Sequence, residues 1–405
     1  MANCLVAQSG GPTTVINASL AGVVKANQLN PVYDTVYGGL NGIEGILEER
    51  LYDLTNMSDF ENRVLRQTPS SCLGSCRYKL KRDDDTDYKK LVAVMDKFNI
   101  EIMFYIGGND SMDTVDALSQ WAKKNGVSKR FVGIPKTVDN DLMVTDHCPG
   151  FASAAKFVNA VVTSTWQDYN VYTRSEVFIL ETMGRDAGWL AGSSVATGHV
   201  DLLILPEQDF DQEVFLAQVQ KCMDEKNKCF IVVSEGAHFA DGSYLAAGKA
   251  VNDGFGHAVL GGAGNAVKEM ILDAGIAPRA KVQDLSTAQR CANYIQSDVD
   301  VSEAFELGMS AHMHSADGKF TGQVVGVVRD GSKEYNVKFI AGPAHEFANH
   351  VKNIPAEWIL PEYHGLTQEA YDYFLPLIKG EPTLIMDNEK GTPAYVFPYH
   401  MSDKK

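Results

Sequence analysis

No apolar run in this sequence approaches the roughly 20 residues that a membrane-spanning helix needs. Basic excess is missing too: 36 Lys and Arg stand against 52 Asp and Glu, a formal charge of −16. That balance argues against nonspecific nucleic-acid binding and against adhesion to anionic membranes, both of which need basic surface. A phosphorylated small molecule stays open as a ligand, because a pocket can be basic on an acidic protein. Cysteines are few, scattered and odd in number, seven in 405 residues. They fit reduced thiols in a cytoplasm better than a disulfide framework. Cys72 and Cys76 lie close together, yet no second cysteine or histidine pair nearby completes a zinc site. Short repeats and low-complexity linkers are absent. The first residues, Met1 to Ala7, are too short for a signal peptide before a glycine turn begins. The expectation is a soluble, cytoplasmic, enzyme-sized protein.

What is present is an alternation of apolar runs of strand length with helical patterns. The runs predict strands at 4–7, 32–37, 100–106, 131–134, 177–180, 202–205 and 230–233. Helices are predicted at 14–29, 111–124, 151–167, 186–197, 211–226 and 262–273. Strands that are apolar throughout belong where helices cover both faces of a parallel sheet. The expected class is therefore doubly wound α/β. At this length more than one core is expected. Residues 1–146 mark one lobe and 147–290 a second, with 291–405 packing back on both. That last part contains predicted strands at 323–328 and 337–341 and a helix at 367–375 stopped by Pro376. Phe151, Ala155, Val158, Val162 and Trp166 recur at helical spacing and read as core packing. The charge-dense stretch 81–87 reads as a solvated turn.

The chemistry concentrates in turns at strand ends. Gln8-Ser9-Gly10-Gly11-Pro12 follows the first strand and opens a helix, where unpaired N–H groups can receive a phosphate. No Gly-Lys-Ser/Thr follows, so it is not a P-loop, and the third glycine of a dinucleotide fingerprint is missing. A plain tight turn fits it as well as an anion cradle. Gly107-Gly108-Asn109-Asp110-Ser111 ends the third strand. Asp110 there is either a helix cap or a carboxylate that tolerates a phosphate only with a cation between them. Pro135-Lys136-Thr137-Val138-Asp139-Asn140-Asp141 ends the fourth strand. Asp139 and Asp141, two apart, point the same way in an extended segment. Two like charges on one face call for a metal, a lysine or a substrate proton, unless they are local turn caps. A base, a lysine and paired carboxylates at adjoining strand ends suit phosphoryl transfer.

The series of turns resembles the phosphofructokinase family, and within it the pyrophosphate-dependent branch. It runs through Gln8–Gly11, Tyr37–Leu40, Gly74–Arg77, Gly107–Ser111, Pro135–Asp141, Met183–Arg185, Ser234–Gly236 and Gln289-Arg290, in the family order. The resemblance implies two doubly wound parallel-sheet lobes with the active site in the cleft between them. It implies Mg²⁺ as cofactor, fructose 6-phosphate and pyrophosphate as substrates, and a homodimer or homotetramer. By that resemblance Gly11, Arg77, Gly108 and Asp110 face the phosphoryl donor, with Lys136 compensating its charge. Thr137 orients the transferred group and Asp139 is the base for the sugar 1-hydroxyl, with Asp141 beside it. Met183, Gly184, Arg185 and Glu235 hold the sugar, Arg290 grips the 6-phosphate, and Arg174 matches an arginine that reaches across a subunit interface. Asp110 is the implied metal ligand.

Donor choice rests on Asp110 and Lys136. ATP users of the family have glycine at both positions, and the bulk and charge of Asp110 would exclude the rest of a nucleotide. Two departures stand out. The family usually carries an aspartate where this chain has Asn109, which weakens that position as a hard-cation ligand. It usually carries a histidine or aromatic hydroxyl where this chain has Thr287, so Lys281 or a residue beyond Asp330 is expected to complete the 6-phosphate pocket. The alternatives are ATP as donor, sedoheptulose 7-phosphate as acceptor, or a regulatory subunit that keeps the fold without the chemistry. A nicotinamide dehydrogenase lacks its fingerprint here. His312 and His314 have no third ligand in view, and Gly261–Gly264 reads as a loop-to-helix turn.

Overall fold

The computed structural model describes residues 2–246 and 260–396. In chain order, β1 (Asn3–Gln8), β2 (Val36–Gly39), β3 (Leu51–Asp53), β4 (Ile100–Gly107) and β5 (Arg130–Pro135) build most of one sheet. Next, β6 (Glu176–Thr182), β7 (Leu202–Ile204), β8 (Lys228–Ser234) and β9 (Ala280–Asp284) build a second. Then β10 (Gln323–Arg329) and β11 (Val337–Pro343) return to the first. Among the described residues the first sheet runs β11-β10-β5-β4-β1-β2-β3 and the second β7-β8-β6-β9. Successive residues of β1 and β4 alternate between two cores. Leu5, Ala7, Met103 and Tyr105 face one, and Cys4, Val6, Ile102 and Phe104 the other. That two-sided burial is why the middle of each strand, residues 4–7 and 102–106, is apolar without alternation. The second sheet is likewise packed on both faces. The α/β class with two wound lobes is as expected.

The second sheet is parallel throughout. The first is parallel at its centre, but both edges are antiparallel, β2 with β3 and β10 with β11. Residues 330–336 are too few for the dozen or more that a parallel crossover takes, so β11 must fold straight back. The strand expected at 32–37 forms only from Val36. The Asn27 carboxamide oxygen accepts from the amides of Val32 and Tyr33 at 3.1 and 3.0 Å and ties them to the preceding helix. The helix expected at 186–197 is a short one, Trp189–Ser193, continued as a 3₁₀ turn, Ser194–Thr197. Its start is held back because Glu207 accepts from the Gly188 amide at 2.9 Å. Pro376 lies inside the last turn of helix Gln368–Leu377 and does not stop it earlier. A terminal turn forfeits few hydrogen bonds to a proline.

Helix Asp298–Ser315, absent from the helices predicted by sequence, packs on helix Ile16–Leu29. The contact is a close backbone crossing. A Cβ on Gly22 would meet the Phe305 carbonyl oxygen at 2.0 Å, and one on Gly308 would meet that of Ser19 at 2.0 Å. Helix Phe151–Asn170 carries the chain from β5 to the second sheet. Among the described residues no helix is long and apolar enough to cross a membrane.

From β1 the chain goes to β2 on one side, while β4 lies on the other. The carboxyl ends of β1 and β4 therefore flank a topological switch point, where open α/β sheets bind ligands.

Candidate active site

At that switch point the glycine turns meet. The Ser9 amide donates to the Ile106 carbonyl at 2.9 Å, and the Gly10 amide to that of Cys76 at 3.2 Å. Gly10 has φ 74°, a left-handed conformation that suits glycine. The Ser75 hydroxyl donates to the Gly10 carbonyl at 2.6 Å, so the loop bearing Arg77 is stitched to the turn after β1. After β4, helix Asn109–Lys124 starts at once with Gly108 as its cap. A Cβ on Gly107 would lie 2.0 Å from the Ser111 hydroxyl. Asp110 falls inside the first turn, two residues earlier than the helix was expected, and no side-chain cap bond is made there. Capping therefore does not explain it.

A cavity of about 280 Å³ opens between the two lobes. From the first lobe it is lined by Gly11, Arg77, Gly108, Asn109, Asp110, Lys136, Thr137, Asp139 and Asp141. From the second come Met183, Arg185, Glu235 and Arg290, with Leu260, for which the sequence offered no signal. Asp139 and Asp141 both face it. Asn140 between them, at φ 56°, is fully buried and turns away. The Asp139 amide donates to the Thr137 hydroxyl at 3.1 Å, so threonine, not aspartate, caps this turn.

Two expected residues, Gly184 and Lys281, do not line this cavity, while Arg174 was expected at a subunit interface and not in its own chain's cavity. Gly184 is behind the wall, where its amide donates to Glu235 at 3.4 Å and its carbonyl accepts from the Ser234 hydroxyl at 2.6 Å. Arg174 pairs with Glu176 at 3.3 Å, at the start of β6. The cavity adjoins the other end of that seven-residue strand, on the order of 20 Å away at the rise of an extended chain. Lys281 is 3.6 Å from the same Glu176 carboxylate and so does not join Arg290. Arg290 itself reaches the donor loop, since a Cβ on Gly11 would lie 3.0 Å from its guanidinium nitrogen.

Burial sets the electrostatics. Lys136, 2% exposed, donates to the Gly11 carbonyl at 2.5 Å. Burial and the nearby Arg290 hold its pKa down to about 8, against the pull of Asp139 and Asp141. Burial and repulsion from Asp141 push the Asp139 carboxyl well up, with Arg185 and Lys136 opposing. Asp141 is also raised by burial, offset by a hydrogen bond from Asn109. Burial and Asp139 push Glu235 up to about 7. Carboxyls poised near neutrality suit proton transfer, and the surrounding cations suit a polyanionic ligand.

Asn109 is engaged at both ends. Its amide nitrogen donates to Asp141 at 3.0 Å, and its oxygen accepts from the Asn349 amide at 3.1 Å. An aspartate there would face Asp141 as a like charge. Among the described residues no group of three or more His, Cys, Asp or Glu could by itself hold a metal. Mg²⁺ usually takes one or two carboxylates and completes its shell with phosphate oxygens and water. Asp110, facing the cavity, fits such a shared ion.

The remaining motifs are internal. Glu181 accepts from the Gly262 and Gly264 amides at 2.8 and 2.9 Å, so its carboxylate fills that helix N-terminus. His312 bonds the Asn27 carboxamide at 3.0 Å and His314 the Ser310 carbonyl at 2.8 Å. The charge-dense turn is tied down by Arg82, which bridges Asp113 and Asp116 at 2.5 and 3.2 Å.

The phosphofructokinase family profile matches residues 3–314. A pyrophosphate–fructose 6-phosphate 1-phosphotransferase of Xanthomonas campestris is 38% identical, covering 97% of this chain and 95% of its own. A sulfofructose kinase of Alkalicoccus urumqiensis is 31% identical, covering 96% and 98%. The crystal structure of a pyrophosphate-dependent phosphofructokinase from Nitrosospira multiformis superposes with a TM-score of 0.88 at 33% identity, covering 97% and 95%.

Proposed function

Because the chain belongs to the phosphofructokinase family, in its pyrophosphate-dependent branch, we propose that it transfers a phosphoryl group reversibly between pyrophosphate and the 1-hydroxyl of fructose 6-phosphate. In the forward direction Asp139 takes the hydroxyl proton as the sugar oxygen attacks the terminal phosphorus. The bridging P–O bond breaks, and inorganic phosphate and fructose 1,6-bisphosphate leave. The raised pKa of Asp139 suits this base role, since it binds the proton firmly yet is ionised at mildly alkaline pH. Thr137 orients the transferred group, while Arg77, Lys136 and the Gly10–Gly11 turn hold the donor. Arg185 and Glu235 hold the sugar, and Arg290 binds its 6-phosphate from where it meets the donor loop. Bound through Asp110 and donor oxygens, Mg²⁺ would supply charge neutralisation on the moving phosphoryl group.

The observation that carries this reading is Lys136: a buried ammonium held at the Gly11 carbonyl, in the same cavity as Asp110 and Asp139. Phosphoryl transfer is largely positioning and charge stabilisation, and a cation in this cavity would serve a compact polyanionic donor. The test is turnover of fructose 6-phosphate with Mg²⁺ and either pyrophosphate or ATP, following fructose 1,6-bisphosphate. Turnover with pyrophosphate and none with ATP is expected; turnover with ATP alone would overturn the donor assignment. A second reading, favoured by the sulfofructose kinase relative and by Thr287 in the Gln289-Arg290 turn, is an acceptor with a different anionic group on C6. A larger kcat/KM for such a sugar than for fructose 6-phosphate would select it.

A further inference from the structure

The loop that carries Asp139 and Asp141 is held from a distant part of the chain. Residues 352–354, beyond the family-matched span 3–314, run between the two lobes and bind both. On the second-lobe side the Trp189 indole N–H donates to the Lys352 carbonyl at 2.6 Å. Two residues on, the Ile354 amide donates to Glu207 at 3.1 Å. On the first-lobe side the Lys352 amide donates to the Asp141 carbonyl at 2.8 Å. Its ammonium donates to the carbonyls of Thr145 and Asp146 at 3.1 and 2.7 Å. One residue therefore makes three bonds to the 141–146 stretch and one to the opposite lobe.

The rest of the loop is braced by the same part of the chain. The Tyr373 hydroxyl donates to the Asp146 carbonyl at 2.8 Å and accepts from the Asn140 side-chain carboxamide Nδ2 at 3.1 Å. Arg329 pairs with the Asp146 carboxylate at 3.1 Å. Of these groups only Lys352 both touches the backbone of a reacting-loop aspartate and bonds the second lobe. It also brings a positive charge to two backbone carbonyls of the loop, sharing that of Asp146 with the Tyr373 hydroxyl.

We propose that Lys352 is a positioning residue for phosphoryl transfer, fixing the Asp139–Asp141 loop of one lobe against Trp189 of the other. Lys352 does not line the cavity, so it acts on the reaction through the placement of the two carboxylates. A reacting group displaced by about 1 Å can cost on the order of 100-fold in rate. The proposal rests on the phosphotransferase reading above for its kinetic part and on geometry alone for its structural part.

The test compares the wild-type full chain with K352M, which keeps length and removes the charge, and with K352R, whose guanidinium can still reach the carbonyls. The measurements are kcat, both KM values and hydrogen exchange by mass spectrometry. In K352M a fall in kcat on the order of 10- to 100-fold is expected, with each KM within about threefold. Amides of 139–148 should exchange faster while β1 and β4 keep their protection, and K352R should recover part of the kcat. An unchanged kcat with unchanged exchange would overturn the proposal. So would faster exchange spread over the whole first sheet with kcat lost in step with folded protein. If the wild type turns over neither sugar with pyrophosphate, the reaction assignment fails. Exchange in K352M then decides the loop placement by itself: faster exchange confined to 139–148 supports it, and no local change overturns it.

Discussion

Asp139→Asn should abolish most turnover and at the same time stabilise the protein. Asp139 and Asp141 face one cavity from a buried loop; burial lifts the pKa of each, and repulsion from Asp141 adds to the shift at Asp139. A carboxyl whose pKa is higher folded than unfolded binds its proton more tightly in the native state. Its ionised form at neutral or alkaline pH therefore weighs against folding, and stability falls as pH rises through the range between the two values. An uncharged amide of the same shape removes that term. Relief of a buried like-charge carboxylate pair is worth about 1–3 kcal/mol, trimmed because Arg185 and Lys136 lose a partner. The melting temperature of the ligand-free protein at pH 8 should rise by a few degrees. Loss of a general base costs about 10²- to 10⁴-fold in kcat, or roughly 3–5 kcal/mol of barrier. KM for either substrate should stay within a few-fold. Steady-state kinetics and thermal melts of the two proteins side by side make the measurement. A kcat within tenfold of wild type would remove Asp139 as the base. A lower melting temperature would refute the electrostatic account of the pair.

The pH profile of kcat/KM should be bell-shaped. The alkaline limb follows Lys136, whose charge is present below about 8 and lost above it; the acid limb follows the raised Asp139, losing its base form at a higher pH than an ordinary aspartate would. Rates insensitive to pH between 5 and 9 on the order of a few-fold would contradict both assignments. Asp110→Gly with Lys136→Gly should acquire measurable ATP turnover and lose at least about 100-fold with pyrophosphate, the scale of a lost charge-stabilising group; a double variant inert to ATP would mean that donor choice is set more widely. Chelation by EDTA should stop turnover and Mg²⁺ restore it, and Asp110→Asn should raise the Mg²⁺ needed for half-maximal rate by about tenfold, one lost charge-assisted ligand; activity unaffected by EDTA would refute the shared-ion reading.

The sequence by itself determined the sheets' inner strands and which residue types stand at their ends. β1, β4, β5, β6 and β8 each contain an uninterrupted apolar run because helices cover both faces, and that pattern is local. The glycine turns, Lys136, Asp139, Arg185 and Glu235 were legible because a turn's backbone and its chemistry occupy the same few residues. The edges of the first sheet were not. Whether β11 runs with or against β10 depends on connection length and on what lies beside it, which no window of residues reports. The helix Asp298–Ser315 also escaped. Its partner contact is a backbone crossing at Gly22 and Gly308, so its face carries no broad apolar stripe to read.

The same division holds within the site. Sequence spacing placed Asp139 and Asp141 on one side of their turn. It was tertiary structure that put Asn109 between Asp141 and Asn349 and left Asp110 facing the cavity. It also set Lys281 and Arg174 on Glu176 at the far end of β6. It brought Lys352 under a loop more than 200 residues earlier in the chain. Local residue types decide which groups a strand end presents, because each strand's own pattern fixes where it stops. Which distant side chains satisfy, oppose or brace those groups is decided by how the lobes pack, and the burial that packing imposes is what moves their pKa values.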